Sequence, residues 1–301
     1  MSKRTIFHML NPMKHNSPFD INMAVDAGYE VVIPYENVKL EEVAGLTQDA
    51  IFSRGPAGVK KTGMFIGGRD IGLAMDMLEE TRKAMVPPFE ISVFADPSGA
   101  FTTAAALVAC VERELKKNFN QELKGSRAVV FGGTGPVGLA TAVIVAEQGA
   151  DTTIVDHFSL DTALEFADEA KRRYDVDLRA TTAASEADKA RLISNADIVF
   201  CTAKAGIQVL NASVLADAQQ LKVAGDVNAV PPLGIEGVKL MDSGTPLIHA
   251  TNSSGAVGIG ALAIGDIKYQ LQQTLLKETL SSEKSVYLDF RNAFKDARTL
   301  V

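Results

Sequence analysis

The run Arg127-Ala-Val-Val-Phe-Gly-Gly-Thr-Gly-Pro-Val-Gly138 constrains this chain more than any other segment. An apolar strand pattern runs into G-x-G-x-x-G, placed at Gly133, Gly135 and Gly138, and a helix pattern follows. In this series the first glycine permits a tight turn, the second lets a pyrophosphate approach the backbone, and the third lets helix and strand pack closely. Pro136 suits the first helical turn, where its missing amide donor costs nothing. The helix start, with Thr134, Pro136 and Val137 around it, presents free amides and a positive dipole end to an anion. The next strand, DTTIVDH, ends in Asp156, 18 residues after Gly138, where a carboxylate can accept from the adenosine ribose diol. A glycine turn can serve packing alone. The complete strand–turn–helix–strand–acid series is what argues for a dinucleotide.

Asp156 also bears on which dinucleotide. The 2′-phosphate of NADP would meet this carboxylate, and two unit charges about 4 Å apart repel by roughly 4 kcal/mol at an effective dielectric near 20. No arginine follows directly. His157, Phe158 and Ser159 do. NAD is therefore the expected preference, with NADP the alternative that His157 and Ser159 could accommodate. Ala203, Asp226 and Asn228, at the ends of later strands, complete the expected cofactor contacts.

The rest of the chain alternates in the same way, which argues for an α/β fold built on parallel sheets. TIFHML, YEVVIPY, AIFSR, GMFIGG and FEISVFADP read as strands. Helices are expected from Ser17 or Pro18 to Gly28, from Ile71 to Ala84 and from Gly99 to Lys117. The polar run 116–125 reads as a linker or frayed helix end. Beyond it come helices over Pro136–Gln148 and Leu160–Tyr174, the strands ADIVFCTA and QLKVAGDVN, and one or two helices after Ala261. With 301 residues the chain can hold two domains. The expected division is residues 1–122 plus 261–301 as an N-terminal α/β domain to which the C-terminal helices return, and residues 123–260 as the Rossmann domain.

Composition narrows the function classes. At 47% hydrophobic and 22% charged residues, the chain can bury a large core without disulfides or metals. A net charge of −7 is not that of a nucleic-acid binder. The one dense basic cluster, Lys171 to Arg173, follows Glu165, Asp168 and Glu169 and reads as a solvated helix face. Cys110 and Cys201 lie in apolar surroundings, as buried free thiols do in a reducing compartment. No C-x-x-C and no His/Cys cluster has zinc spacing, so no metal is expected. The N-terminus carries no signal-peptide pattern. The stretch Ala256–Ile267 is too short and too glycine-rich to span a bilayer. A cytoplasmic protein follows.

Three glycine-rich segments at strand ends are candidates for contact with a second ligand: Asp96–Thr103, Asp226–Pro232 and Gly258–Lys268. Asp96 and Thr102 are equally the residue types that cap a helix. His8, His15, His157 and His249 show no i, i+3 or i, i+4 pairing and no triad pattern. No G-x-S-x-G occurs, which sets aside an α/β-hydrolase.

Taken together, FGGTGPVG (131–138), SPFD (17–20), IFSRG (51–55), ADPSGAFTTAAA (95–106), DVNAVPPLGI (226–235) and GIGALAIGDIK (258–268) resemble methylene-tetrahydromethanopterin dehydrogenase. The form most resembled is form B, the NAD(P)-using enzyme of methylotrophic bacteria. The resemblance runs from near residue 6 to near residue 292. It implies oxidation of the methylene pterin to its methenyl form in one-carbon oxidation, a two-domain fold with the pterin in a cleft facing the nicotinamide, and a homo-oligomer, trimer or hexamer. It assigns Lys268 the catalytic position and Asp20 the substrate side, where Asp96, Thr102 and Thr103 are further candidates. Hydride leaves a carbon held between two nitrogens and the cation delocalises over them, so no proton need move. Catalysis would then be mostly positioning and electrostatics.

Two other readings share these features. A methylene-tetrahydrofolate dehydrogenase would use a Y-x-x-x-K pair, which Tyr35 and Lys39 match in spacing. A protein that senses NAD without turnover would need only the glycine turn.

Overall fold

A computed structural model describes residues 3–301. In chain order the elements are β1 (Ile6–Leu10), α1 (Pro18–Asp26), β2 (Val31–Tyr35), α2 (Leu40–Phe52), α3 (Gly55–Val59), β3 (Thr62–Ile66), α4 (Ile71–Lys83), β4 (Ser92–Ala95) and α5 (Ala100–Phe119). The alternation resumes with β5 (Arg127–Phe131), α6 (Pro136–Glu147), β6 (Asp151–Asp156), α7 (Leu160–Tyr174), β7 (Arg179–Thr182), α8 (Glu186–Ile193), β8 (Ile198–Cys201), α9 (Ala212–Ala216) and β9 (Val223–Asp226). It closes with β10 (Ser243–Pro246), β11 (Val257–Ile259), α10 (Ala261–Ser281), β12 (Tyr287–Leu288) and α11 (Phe290–Ala297). The chain divides into two compact units. One runs up to Thr102 and includes Tyr269–Asp296, and the other holds Thr103–Lys268 with Ala297–Val301. The changes of unit fall inside α5 and α10, whereas the sequence reading put its boundaries at 122/123 and 260/261.

The first unit is a five-stranded parallel sheet in the order β2-β1-β3-β4-β12. The direction of winding reverses between β1 and β3, so the carboxyl ends of these two strands form the crevice of a doubly wound sheet. Every residue of β3 and β4 is buried, as expected of strands covered on both faces. β2 pairs only with β1 and carries Pro34, which cannot donate to a ladder and is tolerated at an edge. Part of α10 belongs to this unit. There Gln273 donates to the Met23 carbonyl at 2.9 Å, and Thr279 meets the Tyr29 hydroxyl at 2.8 Å.

The second unit has seven strands in the order β10-β11-β9-β8-β5-β6-β7, parallel except for the β10–β11 pair. The winding reverses between β5 and β8, and crossover helices therefore fall on both faces. The helix after the glycine turn, α6, is buried continuously from Gly138 to Val145. A helix apolar all round belongs in an interior.

Two sequence expectations are corrected. AIFSR is not a strand, because α2 continues through Phe52. Its buried residues Val43, Thr47, Ala50 and Ile51 fall at i, i+4, i+7 and i+8, one face of a helix. The segment 258–268 is not a loop, since β11 ends at Ile259 and α10 begins at Ala261. Two of its three glycines are there for packing: a Cβ on Gly260 would lie 1.9 Å from the Lys239 carbonyl oxygen, and one on Gly258 would lie 2.8 Å from the Val238 side chain, whereas one on Gly265 would meet nothing within 4 Å.

Candidate functional site

The glycine turn is built by close approach. Gly132, not Gly133, has the left-handed backbone, with φ of +74°. A side chain there would strike the Ala203 backbone at 2.8 Å. A Cβ on Gly133 would come within 2.6 Å of Ile154, and one on Gly138 within 2.1 Å of the Gly132 carbonyl oxygen. The Thr202 hydroxyl fastens the end of β8 to β5 by donating to the Phe131 carbonyl at 2.8 Å. Gly135 differs from these three, because its added Cβ would meet only the Gly132 oxygen, at 3.3 Å. Pro136 is the first residue of α6, and helix geometry leaves the amides of Val137 and Gly138 without intrahelical acceptors. Backbone amides, a helix N-terminus and open space over Gly135 together fit a pyrophosphate.

A cavity of about 510 Å³ adjoins this turn, lined by Gly132, Asp156, His157, Phe158 and Ala203 among others. Strand order explains the grouping, for β6 and β8 flank β5, and their carboxyl ends carry Asp156 and Ala203 to either side of the turn. The Thr134 hydroxyl donates to Asp156 Oδ2 at 2.7 Å, and the Phe158 and Ser159 amides donate to Oδ1 at 2.8 and 2.9 Å. Burial alone would raise this carboxyl. The Ser159 amide, the Thr134 hydroxyl, the Phe158 amide and the nearby His157 together hold it below the usual carboxylate value. The His157 and Phe158 rings meet edge to face at 4.5 Å, and Phe158 is 89% exposed at the rim.

Asp226 and Asn228 act differently. Asp226 is buried at the end of β9 and accepts from the amides of Asn228 at 3.0 Å and Ile235 at 3.1 Å. Burial raises its carboxyl despite the amides of Asn228, Ile235 and Gly234 that favour the charged form. Beneath it lies the fully buried Cys201, whose thiol is pushed well up by burial and then by the Asp226 charge. Asn228 accepts from the Gly206 amide at 3.1 Å and the Val230 amide at 2.9 Å, and donates to the Pro232 carbonyl at 2.9 Å. The pair therefore shapes two loops, 203–209 and 227–235, of which the first lines the cavity.

In the first unit the crevice at β1 and β3 is ordered by Asn11, which accepts from the Met13 amide at 2.9 Å and donates to the His15 carbonyl at 2.6 Å. Asp96 follows β4 and is fully buried. Its Oδ1 accepts from the Phe101 and Thr102 amides at 2.9 and 3.1 Å, and its Oδ2 from the Thr102 hydroxyl at 2.6 Å. Asp96 thus caps α5, and Thr102 is its main donor. Thr103, the next residue, is half-buried. Asp20 sits in the first turn of α1, buried, and accepts from Gln272 at 2.9 Å. Lys268 is in α10. Tyr35 and Lys39 engage other groups: the Tyr35 hydroxyl lies 3.1 Å from His8 Nδ1, while Lys39 is exposed and ion-pairs with Glu41.

Sequence reading missed Gly132 as the strained glycine, and it missed Lys189 and Lys204, which also line the cavity. Lys204 directly follows the expected contact Ala203 and was within reach of that reasoning. Lys189 lies on α8, a short helix with no motif to flag it.

Comparison with known proteins adds a family and a fold. Residues 18–98 match the model of the methylene-tetrahydromethanopterin dehydrogenase N-terminal region. The chain is 46% identical over 292 residues to the NAD(P)-dependent methylenetetrahydromethanopterin dehydrogenase of Methylorubrum extorquens, covering 97% of each. Among solved structures it is similar to shikimate 5-dehydrogenase from Listeria monocytogenes, crystallised with shikimate and NAD, with a TM-score of 0.53 at 13% identity over 97% of this chain and 96% of that one. It is similar also to quinate dehydrogenase from Corynebacterium glutamicum in complex with NAD, with a TM-score of 0.51 at 12% identity over 99% and 100%. At such identities these two likenesses concern the fold alone.

Proposed function

The chain belongs to the NAD(P)-dependent methylene-tetrahydromethanopterin dehydrogenases, and from that premise we propose how its own residues serve the reaction. The enzyme oxidises methylene-tetrahydromethanopterin to the methenyl form with hydride transfer to NAD(P)⁺. One observation carries the residue-level reading: the glycine turn, complete to its flanking carboxylate, opens directly on a cavity. The dinucleotide supplies the hydride acceptor when bound. Gly133, Thr134, Gly135, Pro136, Val137 and Gly138 hold its pyrophosphate at the start of α6. Asp156 takes the adenosine ribose diol with His157 beside it, and this supports NAD as the preferred form. Ala203 backs the turn, while Asp226 and Asn228 hold the neighbouring loops.

The first unit is proposed to take the pterin, in keeping with the 1–122 plus 261–301 and 123–260 division of labour read from the sequence. Asp20 serves on the substrate side. Asp96, Thr102 and Thr103 keep the start of α5 rigid there. Lys268 is the catalytic residue of the proposal, orienting the pterin and setting the local field for a transfer in which no proton moves. A homo-oligomer, trimer or hexamer, a cytoplasmic setting and a role in methylotrophic one-carbon oxidation belong to the same proposal. The buried free thiols Cys110 and Cys201 suit the compartment, and no helix of the described residues is long and apolar enough to cross a membrane.

The test is NADH formation at 340 nm from methylene-tetrahydromethanopterin, repeated with NADP⁺ and with methylene-tetrahydrofolate. Turnover is expected with the methanopterin and faster with NAD⁺. Lys268→Ala should lose about 10²-fold or more in kcat, the scale of removing one preorganised electrostatic group. Full turnover in that variant would remove the role given to Lys268. Firm NAD binding without turnover on either pterin would favour a sensor.

A further inference from the structure

The cavity beside the glycine turn holds two cations that the reading above leaves without a task. Lys189 projects from α8 and is half-buried, and Lys204 follows β8 and is exposed. Both line the same cavity as Asp156, His157 and Phe158. Three lysines of this unit are paired with acids, Lys116 with Glu112, Lys171 with Asp175 and Lys222 with Asp197; Lys189 and Lys204 are set apart by the cavity they line. Among the described residues neither Lys189 nor Lys204 has a hydrogen-bond or ion-pair partner. A half-buried ammonium that forgoes water without gaining an acid costs free energy, unless an anion arrives to meet it.

The carboxylate across the turn is already well supplied. Thr134, Phe158 and Ser159 give Asp156 three donors, two to Oδ1 and one to Oδ2. A carboxylate so compensated repels an anion less than a bare one. Two ammonium groups line the same cavity against this one carboxylate. Counted as formal charges, the cavity lining carries two cations and one anion.

We propose that Lys189 and Lys204 form the cationic wall of this cavity and admit the 2′-phosphate of NADP⁺, so that they determine how far the enzyme discriminates between its two dinucleotides. The inference rests on the dinucleotide reading of the cavity and deepens it. Asp156 favours the unphosphorylated ribose diol, the lysines favour the extra phosphate, and the ratio of the two dinucleotides reports their balance. A lysine ammonium placed for phosphate acts as a point charge, so Lys→Arg, which keeps the charge, should retain the preference and Lys→Gln should abolish it.

The experiment uses the full chain and two soluble probes, 2′,5′-ADP and 5′-AMP, titrated calorimetrically into wild type and into Lys189→Gln, Lys204→Gln, the double variant and Lys204→Arg. The affinity ratio of 2′,5′-ADP to 5′-AMP is expected to fall at least tenfold in the double variant and to be retained in Lys204→Arg. Its salt dependence should weaken in parallel. In turnover, KM for NADP⁺ should rise relative to KM for NAD⁺ by a similar factor. An unchanged ratio, or equal weakening of both probes, would overturn the proposal and make the lysines mere pocket lining. If wild type bound neither probe, the dinucleotide reading of the cavity would itself fail. If it bound 5′-AMP normally, that reading would stand and the lysines alone would be on trial.

Discussion

Of the four glycines in the seven residues of the turn, three are required by close neighbours and Gly135 is not. A Cβ on Gly138 would overlap the Gly132 carbonyl oxygen at 2.1 Å, a clash with backbone that no rotamer relieves. A Cβ on Gly135 would have its single close neighbour at 3.3 Å, and the φ of −78° there is ordinary for alanine. The two substitutions should therefore separate folding from binding. Gly138→Ala is expected to destabilise the protein by about 1–3 kcal/mol or more, the cost of overpacking. Gly135→Ala is expected to leave the melting temperature near wild type and still weaken NAD⁺ binding by tenfold or more. Calorimetric melting and NADH titration check both. A Gly135→Ala protein with normal NADH affinity would mean that the pyrophosphate does not lie over this residue.

At the scale of elements, the loops after β8 and β9 work as one device. Asn228 joins them with three hydrogen bonds, reaching Gly206 in one loop and Val230 and Pro232 in the other. Asp226 anchors the second loop from below, receiving the amides of Asn228 and Ile235. Gly234 must lack a side chain, because its Cβ would sit 2.4 Å from the Cys201 sulfur and 2.6 Å from an Asp226 oxygen. Removing Asn228 leaves its partners unsatisfied, at about 1–3 kcal/mol for a buried group. Asn228→Ala should accordingly lower the unfolding free energy by that order and raise the dinucleotide Kd, since the 203–209 loop lines the cavity. An unaltered Kd in a destabilised protein would show that the loop holds its shape unaided. One outer strand of each sheet carries a proline, Pro34 in β2 and Pro246 in β10, where a missing amide donor is tolerated.

Stability against pH belongs to the whole molecule, because folding is what shifts each group. Asp156 titrates below its unfolded value near 3.8. Its contribution is therefore fully present above about pH 3.8 and lost as pH falls through the lower folded value. Asp226, Asp296 and Glu278 are raised, first of all by burial. Their contributions run the other way, present below their unfolded values and lost as pH rises through the folded ones. Urea unfolding of wild type and Asp156→Asn should show a stability gap that is constant at neutral pH and closes below about pH 3.8. A gap that widened on acidification would contradict the hydrogen-bond account of Asp156.

What the sequence alone determined was local chemistry. Regular helices such as Leu160–Tyr174 were readable to the residue, because capping and 3.6-residue periodicity act within a few positions. The dinucleotide turn and its distant acid were readable because strand, turn and helix are contiguous and the acid closes the next strand. Tertiary structure decided what depends on neighbours far along the chain. Residues 50–54 carry a strand-like composition, but packing of Val43, Thr47, Ala50 and Ile51 on one face keeps them helical to Phe52. β7, short and polar, becomes a strand only by pairing with β6. Lys189 enters the cavity from α8, more than 30 positions after Asp156, and no spacing rule links the two. The strand order that sets β6 and β8 on either side of β5 is a free-energy balance over the whole sheet. That order, and no motif, made Asp156 and Lys204 walls of one pocket.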